Sequence, residues 1–269
     1  MARVLIAVSR LDIGEHLELA LKYGCGLEIQ AFSSPEVLDG NWQGLLSRYK
    51  TLLKDFPHPL ASHGAFFDMC SASVDTRVVA LTRERYLLNL DIAAELGAAH
   101  VIFHTNFLPM IRTERYRSAW IESQVDFWQE LGQEAARRNL YIVLENMWDP
   151  DPFILEGLFR NLTAPNLGVC LDTSHAYLYR SNRMHSIEQW LTVLDPYVLH
   201  VHLNNSRGVI DEHLALNASG GALNYTQFLP QLAQMRHHPW LVLEMDDLIA
   251  AERSLVFMQQ ILGPDFNTP

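Results

Sequence analysis

The feature that most constrains the fold is an alternation of short apolar runs with segments of helical pattern, repeated eight times along the chain. The runs predicted as strands are 4–8, 27–32, 61–66, 100–104, 141–146, 167–172, 198–203 and 240–244. The helical patterns cover about 13–23, 42–53, 74–96, 118–138, 152–158, 185–194 and 249–261. Strands separated by helices pair in parallel through right-handed crossovers. Eight such units in 269 residues predict one closed (β/α)₈ TIM barrel, and we assign residues 1–269 to a single domain.

A doubly wound open sheet is the structural alternative. That architecture normally carries a glycine-rich phosphate loop after an early strand. The first strand here is followed by Ser-Arg-Leu-Asp-Ile-Gly at 9–14, which lacks that pattern. The sequence therefore favours the closed barrel.

Histidines and carboxylates recur where the predicted strands end. The stretch 198–213 is the densest case, because His200 and His202 share one face of a strand and Asp211 and His213 follow in the next loop. Across the chain the candidate metal ligands are His63, His104, Glu145, Asp172, His175, His202, Asp211, His213 and Glu244. The C-terminal ends of barrel strands converge on one mouth, and borderline metals prefer imidazole and carboxylate ligands. The pattern predicts a metal centre there.

Each of these residues also has a purely structural interpretation. A lone His63 or His104 is more often a hydrogen-bonded core histidine, and Asp172 could simply cap the next helix. Glu145 and Glu244 are harder to explain in this way, because carboxylates that end buried strands need a partner or a cation. Six consecutive strands with such residues favour the metal centre over coincidence.

Composition bears on partners and location. The chain has 20 basic and 31 acidic residues and a net charge of −11, which makes duplex DNA an unfavourable partner because phosphate binding normally needs a basic surface. The three cysteines are widely spaced and suit a reducing compartment. With no signal-peptide pattern and no uncharged run long enough to span a membrane, we expect a cytoplasmic protein with no membrane partner. The oligomeric state is left open.

The strand-end motifs resemble the xylose isomerase-like TIM barrels, a superfamily of sugar isomerases, sugar epimerases and endonuclease IV (AP endonuclease family 2). The resemblance covers essentially the whole chain and is carried by Glu145, Leu-Asp-Thr-Ser-His at 171–175, His-Val-His-Leu-Asn-Asn at 200–205 and Glu244. In the epimerase and isomerase branch it implies one divalent ion on Glu145, Asp172, His202 and Glu244. In the endonuclease IV branch all nine candidate residues match the ligands of three zinc ions.

The sequence also departs from endonuclease IV. That family's DTCH and HLNDSK segments appear as Asp-Thr-Ser-His at 172–175 and His-Leu-Asn-Asn-Ser-Arg at 202–207. The connection from His202 to Asp211 is shorter, and Ala-Ser-Gly-Gly-Ala at 218–222 replaces the family's Gly-x-Gly. The region after the first strand lacks a clear DNA-inserting loop. These changes count against an abasic-site DNA endonuclease more than against a metal centre.

The nine-ligand match favours a zinc-dependent hydrolase of phosphoester bonds in a small molecule. By resemblance, Glu145 bridges two ions, His63 and His104 complete the first, and Asp172, His202 and Glu244 complete the second. His175, Asp211 and His213 hold a third. Clustered metals would polarise the phosphoryl group and generate hydroxide. Arg207 would neutralise a substrate phosphate, unless it is simply a solvated loop residue.

The alternative is a sugar or sugar-phosphate isomerase or epimerase that uses one Mn²⁺, Co²⁺ or Mg²⁺ ion. Glu145 and Glu244 would then move the proton beside the carbonyl, and His175 and Arg207 would contact the substrate. This interpretation ranks second because it gives His63, His104, Asp211 and His213 no role in the reaction. A degenerate barrel that only binds a ligand is a third reading. Further pocket-wall candidates, by position alone, are Phe66, Phe67, Asn106, Phe107, Trp148 and Tyr177.

Overall fold

The computed structural model describes residues 3–9, 11–180, 185–264 and 266–267, and within them eight parallel strands close into a barrel in sequence order. The strands are β1 (Val4–Val8), β2 (Gly26–Ile29), β3 (Leu60–His63), β4 (His100–His104), β5 (Tyr141–Glu145), β6 (Leu167–Asp172), β7 (Val198–Leu203) and β8 (Trp240–Leu243). The barrel closes where Val4, Leu5 and Ile6 of β1 pair with Leu241, Val242 and Leu243 of β8. The predicted (β/α)₈ barrel is confirmed. The assignment of residues 1–269 to a single domain stays a prediction.

Helices occupy the connections between strands. They are α1 (Gly14–Tyr23), α2 (Pro35–Leu38), α3 (Trp42–Leu52), α4 (Thr76–Leu96), α5 (Glu114–Ala136), α6 (Phe153–Phe159), α7 (Thr173–Leu178), α8 (Ile187–Leu194), α9 (Tyr225–Ala233) and α10 (Leu248–Leu262). Among the described residues, no helix is both long enough and apolar enough to cross a membrane.

Two strands end three residues earlier than the sequence pattern predicts, and β5 and β8 end one residue earlier. The second ends at Ile29 because Ser33 donates backbone and side-chain hydrogen bonds to the Gln30 carbonyl and closes a 3₁₀ turn at Ala31–Ser33. The third ends at His63. As a result, Gln30 directly follows β2 and His63 ends β3, and both side chains face the mouth of the barrel.

The sequence pattern does not predict helices α7 and α9. The Asp172 carboxylate caps α7 by accepting a 2.6 Å hydrogen bond from the His175 backbone N–H. Helix α9 contains Pro230, which obscures its helical pattern in the sequence.

Apolar side chains form two layers. The larger lies between the strands and the surrounding helices and includes Tyr86, Trp128 and Trp190, all fully buried. The smaller lies inside the barrel, where Leu5, Ile102, Val143, Val242 and their neighbours fill the lower part. Because apolar residues fill the lower interior, the polar strand-end residues are left together at the mouth.

Gly26 permits the close approach of β2 to the loop that precedes β3. A Cβ at this position would lie 2.3 Å from the Pro59 carbonyl oxygen, a backbone atom that cannot rotate away. We predict that Gly26→Ala lowers the free energy of unfolding by about 1–3 kcal/mol through overpacking. Urea denaturation measures the loss, with Gly14→Ala as the control because its Cβ would meet only the Asp12 carboxylate at 3.4 Å. Equal stability of the two variants would contradict the prediction.

Asp149 joins the loops that follow β4 and β5. Its Oδ2 accepts hydrogen bonds from Thr105 Oγ1 at 2.7 Å and from the Met147 backbone N–H at 3.0 Å, and burial raises the pKa of this carboxyl to about 7. An acid with a raised pKa in the folded state costs stability once pH exceeds its unfolded pKa of about 4. Asp149→Asn should therefore stabilise the protein by about 1–3 kcal/mol at pH 8 and by much less at pH 4.5. Urea unfolding at both pH values checks this, and a pH-independent effect would contradict it.

Candidate metal centre at the barrel mouth

The nine residues predicted from strand ends all lie at one mouth of the barrel. His63, His104, Glu145 and Asp172 are the last residues of their strands, His202 is next to last in β7, and Glu244 directly follows β8. The others are His175 in α7 and Asp211 and His213 in the loop after β7. The structure brings them together, while their roles as metal ligands remain predictions.

Glu145 is the centre of the group. Its buried Oε2 lies 3.1 Å from His104 Nε2, 3.4 Å from His63 Nε2 and 3.3 Å from His202 Nδ1. Its Oε1 lies 3.2 Å from His175 Nδ1. Burial disfavours the carboxylate, but the histidines, His104 and His202 foremost, hold the pKa of Glu145 well below its usual range.

Four residues form a donor set suited to a divalent ion. Ligand atoms of Glu145, Asp172, His202 and Glu244 all lie within 4.8 Å of one another. His202 Nδ1 is buried without a hydrogen-bond partner and lies 3.3 Å from both Glu145 Oε2 and Glu244 Oε2. A bare nitrogen lone pair facing two carboxylates is unfavourable, so this atom requires a proton or a cation. Imidazole nitrogen with three carboxylates matches the ligand preference of divalent ions.

Charge crowding supports the same conclusion. Burial raises the pKa of Asp172 to about 7; His175 opposes this shift, whereas the nearby Glu145 and Glu244 add to it. Burial also disfavours ionised Glu244, but His202 outweighs it and lowers the pKa of Glu244 to about 2. Three carboxylates cannot all ionise in one buried space without a positive charge among them. The residues present therefore fit a divalent ion.

His63, His104 and Glu145 form a second group with the same close spacing. The two histidine Nε2 atoms are 3.2 Å apart, and His63 Nδ1 lies 2.9 Å from the Gly64 carbonyl oxygen. That carbonyl can only accept, so Nδ1 of His63 carries a proton, and Nε2 is the nitrogen directed at Glu145 and His104. This arrangement offers two imidazole nitrogens to a cation beside Glu145.

The loop after β7 returns Asp211 and His213 to the mouth. Asn205 and Leu214 exchange backbone hydrogen bonds of 2.9 and 2.7 Å, which close the loop between them. Asp211 Oδ2 lies 3.0 Å from both His175 Nε2 and His213 Nε2. Burial opposes the charged form of His213, but the hydrogen bond to Asp211 and nearby carboxylates raise the pKa of His213 to about 9.

Gly221 has a structural role in the segment 218–222, where the sequence differs from endonuclease IV. The Asn205 side chain donates to the Leu216 and Leu223 carbonyls at 3.0 and 3.1 Å. A Cβ at position 221 would lie 2.4 Å from Asn205 Nδ2. Because Gly221 has no side chain, Asn205 can hydrogen-bond both carbonyls and fix the segment that follows the loop carrying Asp211.

Sequence reasoning missed the polar residues that support the centre. Glu28, fully buried, lies 2.8 Å from His200 and 3.2 Å from His202, and Gln30 donates to Glu244 Oε1 at 2.7 Å. Asn204 donates to Asp172 Oδ2 at 3.2 Å, and Asn146 accepts at 2.9 Å from the Asp172 backbone N–H. A carboxylate inside an otherwise apolar strand was the available signal for Glu28.

A cavity of about 700 Å³ opens above the cluster. One part of its wall is polar and includes His63, Glu145, His175, Asp211 and Glu244. The other part is largely apolar and includes Leu11, Val37, Phe66, Phe67 and Met147. The cavity can hold a small polar molecule with one face against apolar side chains.

Three residues that the sequence suggested as substrate contacts or pocket-wall candidates, Asn106, Trp148 and Arg207, differ in their placement. Asn106 donates to the Met69 carbonyl at 2.7 Å, so its amide serves the loop backbone. Arg207 forms an ion pair with Glu212 and its side chain is 59% exposed. Trp148 is partly exposed beside Met147 of the cavity wall. Their contacts with substrate stay predictions.

Comparison with known proteins places the chain in a family. Residues 17–261 match the family described as xylose isomerase-like TIM barrel. The TTHB071 protein of Thermus thermophilus, whose crystals were soaked with ZnCl₂, is 28% identical with a TM-score of 0.75 over 97% of both chains. A D-tagatose 3-epimerase-like protein is 20% identical with a TM-score of 0.80 over 97% of both chains. A D-psicose 3-epimerase solved with D-fructose is 14% identical with a TM-score of 0.76, over 97% of this chain and 99% of that one.

The hydrolase assignment from sequence is corrected by these comparisons, because the enzymes named among the similar structures are sugar epimerases. The physical reason for the error lies in residues that seemed idle in an isomerase. The structure gives His63 and His104 a place against Glu145, and gives Asp211 and His213 a place beside His175. They therefore do not require phosphodiester chemistry.

The match over residues 17–261, the closed barrel and the strand-end polar residues at its mouth identify the family. The chain belongs to the xylose isomerase-like TIM barrels.

Proposed function

We propose that this protein is a divalent-metal-dependent isomerase or epimerase of a small sugar. The observation that carries the proposal is the group of Glu145, Asp172, His202 and Glu244 around the unpartnered His202 Nδ1, beneath a cavity of about 700 Å³. The likeness to structures named as a D-tagatose 3-epimerase-like protein and a D-psicose 3-epimerase supports the substrate class.

Glu145 and Glu244 are the proposed acid–base pair. Both carboxylates line the cavity, and their pKa values lie below the usual range, so both are ionised at neutral pH. One carboxylate removes the proton from the carbon beside the sugar carbonyl, and the other takes a proton from solvent and delivers it to the opposite face of the same carbon. The proton held by the first carboxylate then returns to solvent, so both carboxylates end the turnover ionised. A bound divalent ion would stabilise the negative charge that develops on the carbonyl oxygen.

The cavity wall orients the sugar. His175 Nε2 and Asp211 lie together at its polar side, where they can hydrogen-bond hydroxyl groups. Phe66, Phe67 and Met147 present apolar surface that can pack against the C–H face of a sugar and exclude water.

Ion identity and number are part of the proposal. The family resemblance and the zinc-soaked T. thermophilus relative make Zn²⁺ a candidate, alongside Mn²⁺, Co²⁺ and Mg²⁺. The arrangement of all nine predicted ligands around up to three ions also remains a proposal, and elemental analysis of the purified protein distinguishes one ion from more. The cytoplasmic location remains a prediction.

We predict that metal ions stabilise the folded protein. Protein stripped with EDTA should gain about 2.7 kcal/mol of unfolding free energy when a bound ion is present at about 100 times its Kd, because the ion binds only the folded state. Glu145→Gln should gain much less, since it lacks the shared anionic ligand. Glu36→Gln is the matched control, because Glu36 also lines the cavity but is exposed and outside the ligand group. Thermal unfolding that is unchanged by Zn²⁺, Mn²⁺, Co²⁺ and Mg²⁺ would contradict the metal centre.

Proton transfer provides the test of activity. We predict that the metal-loaded protein incorporates deuterium from D₂O beside the carbonyl of at least one ketose among D-fructose, D-tagatose and D-psicose. Glu145→Gln and Glu244→Gln should each lower the exchange rate by about 10²–10⁴-fold, and Glu36→Gln should keep it. NMR of the recovered sugar measures the exchange. Full exchange in both catalytic variants would place the chemistry elsewhere.

A further inference from the structure

Strand β2 supplies none of the nine proposed ligands, yet one residue in it and the residue directly after it direct polar side chains at them. Glu28 and Gln30 are two residues apart and so lie on the same, inner side of the barrel wall. Glu28 is fully buried and contacts His202, and Gln30 contacts Glu244.

The Glu28 carboxylate fixes which nitrogen of His202 carries the proton. Glu28 Oε2 lies 3.2 Å from His202 Nε2, and an ionised carboxylate can only accept a hydrogen bond. Nε2 must therefore be the protonated nitrogen, and the neutral ring then has its lone pair on Nδ1. Nδ1 is the atom that lies 3.3 Å from Glu145 Oε2 and from Glu244 Oε2, at the proposed ion position.

A hydrogen-bond chain supports Glu28 from deeper in the barrel. His200 Nε2 lies 2.8 Å from the same Glu28 oxygen, so it also donates. His200 Nδ1 must then accept from His100 Nδ1, which lies 3.2 Å away. His100 is stacked on Trp240 with ring centroids 4.0 Å apart. Every donor in this chain points toward Glu28, which leaves the carboxylate anionic and fixed in position.

Gln30 orients the other ligand. Its Nε2 donates to Glu244 Oε1 at 2.7 Å and to Glu28 Oε1 at 3.3 Å. The amide therefore occupies one oxygen of Glu244 and leaves Oε2, the atom nearer His202, for the ion.

We propose that Glu28 and Gln30 are positioning residues, in which Glu28 completes a carboxylate–histidine–metal triad through His202 and Gln30 holds Glu244 in its ligating orientation. This inference rests on the metal centre of the proposed function. Carboxylates placed behind a ligating histidine fix its tautomer and raise its basicity, and their loss typically weakens metal affinity by about 10–100-fold.

The test compares metal affinities of four proteins by competition with a coloured chelator: wild type, Glu28→Gln, Gln30→Leu and Val143→Ala. Val143 is buried inside the same barrel but belongs to its apolar cluster, so its truncation controls for general loosening of the core. Glu28→Gln is expected to weaken Zn²⁺ or Mn²⁺ binding by about 10–100-fold, Gln30→Leu to weaken it by a smaller factor, and Val143→Ala to leave it within about twofold.

A second measurement covers the case in which Glu28→Gln does not fold. Histidine ¹⁵N NMR of the Zn²⁺-loaded wild type, assigned with His202→Asn, reports the tautomer directly. The inference predicts a proton on His202 Nε2. A proton on Nδ1, wild-type affinity in Glu28→Gln, or an equal loss in Val143→Ala would overturn the triad and leave the metal centre standing. A wild type that binds no divalent ion would overturn both.

Discussion

The mutual repulsion of three carboxylates buried in one barrel mouth is the constraint on which the site depends. Glu145 and Asp172 end the adjacent strands β5 and β6, and Glu244 directly follows β8. One oxygen of each carboxylate lies within 4.8 Å of the others and of a His202 nitrogen. Burying one ionised carboxylate is costly unless it is paired, and burying three together needs compensating charge. Histidines around Glu145 supply part of it, and the proposed divalent ion supplies the rest.

The barrel makes this concentration of charge possible. Parallel strands end at one mouth, so residues far apart in sequence converge there, while Ile102, Val143 and Val242 fill the interior below. The chain of His100, His200 and Glu28 begins among these apolar residues, at the first residue of β4, and its hydrogen bonds lead up to the proposed ligand His202. Hydrogen bonds from residues inside the barrel therefore support the site, and the loops that follow the strands bound it on the opposite side.

Much of the fold and of the candidate site could be predicted from sequence, because the C-terminal ends of all barrel strands lie at the same mouth. All eight strands lie where the apolar runs indicated, and the residues chosen at their ends meet at the mouth. Glu28 and Gln30 escaped notice because they lie within a run read as apolar, and their partners are distant in sequence. Helix α9 was missed because Pro230 interrupts its pattern. The hydrolase interpretation was wrong because the four residues proposed as ligands suit either chemistry. The contacts of His63 and His104 with Glu145, and of Asp211 with His175, are visible only in the structure.

The most direct measurement of the central claim is a crystal structure of the Mn²⁺- or Zn²⁺-loaded protein with anomalous scattering recorded at the metal edge. The account predicts a peak bonded to His202 Nδ1 and to oxygens of Glu145, Asp172 and Glu244, at about 2.0–2.2 Å for Zn²⁺. An anomalous peak that lies away from His202, or a mouth that contains no peak under conditions in which the protein is active on a sugar, would contradict it.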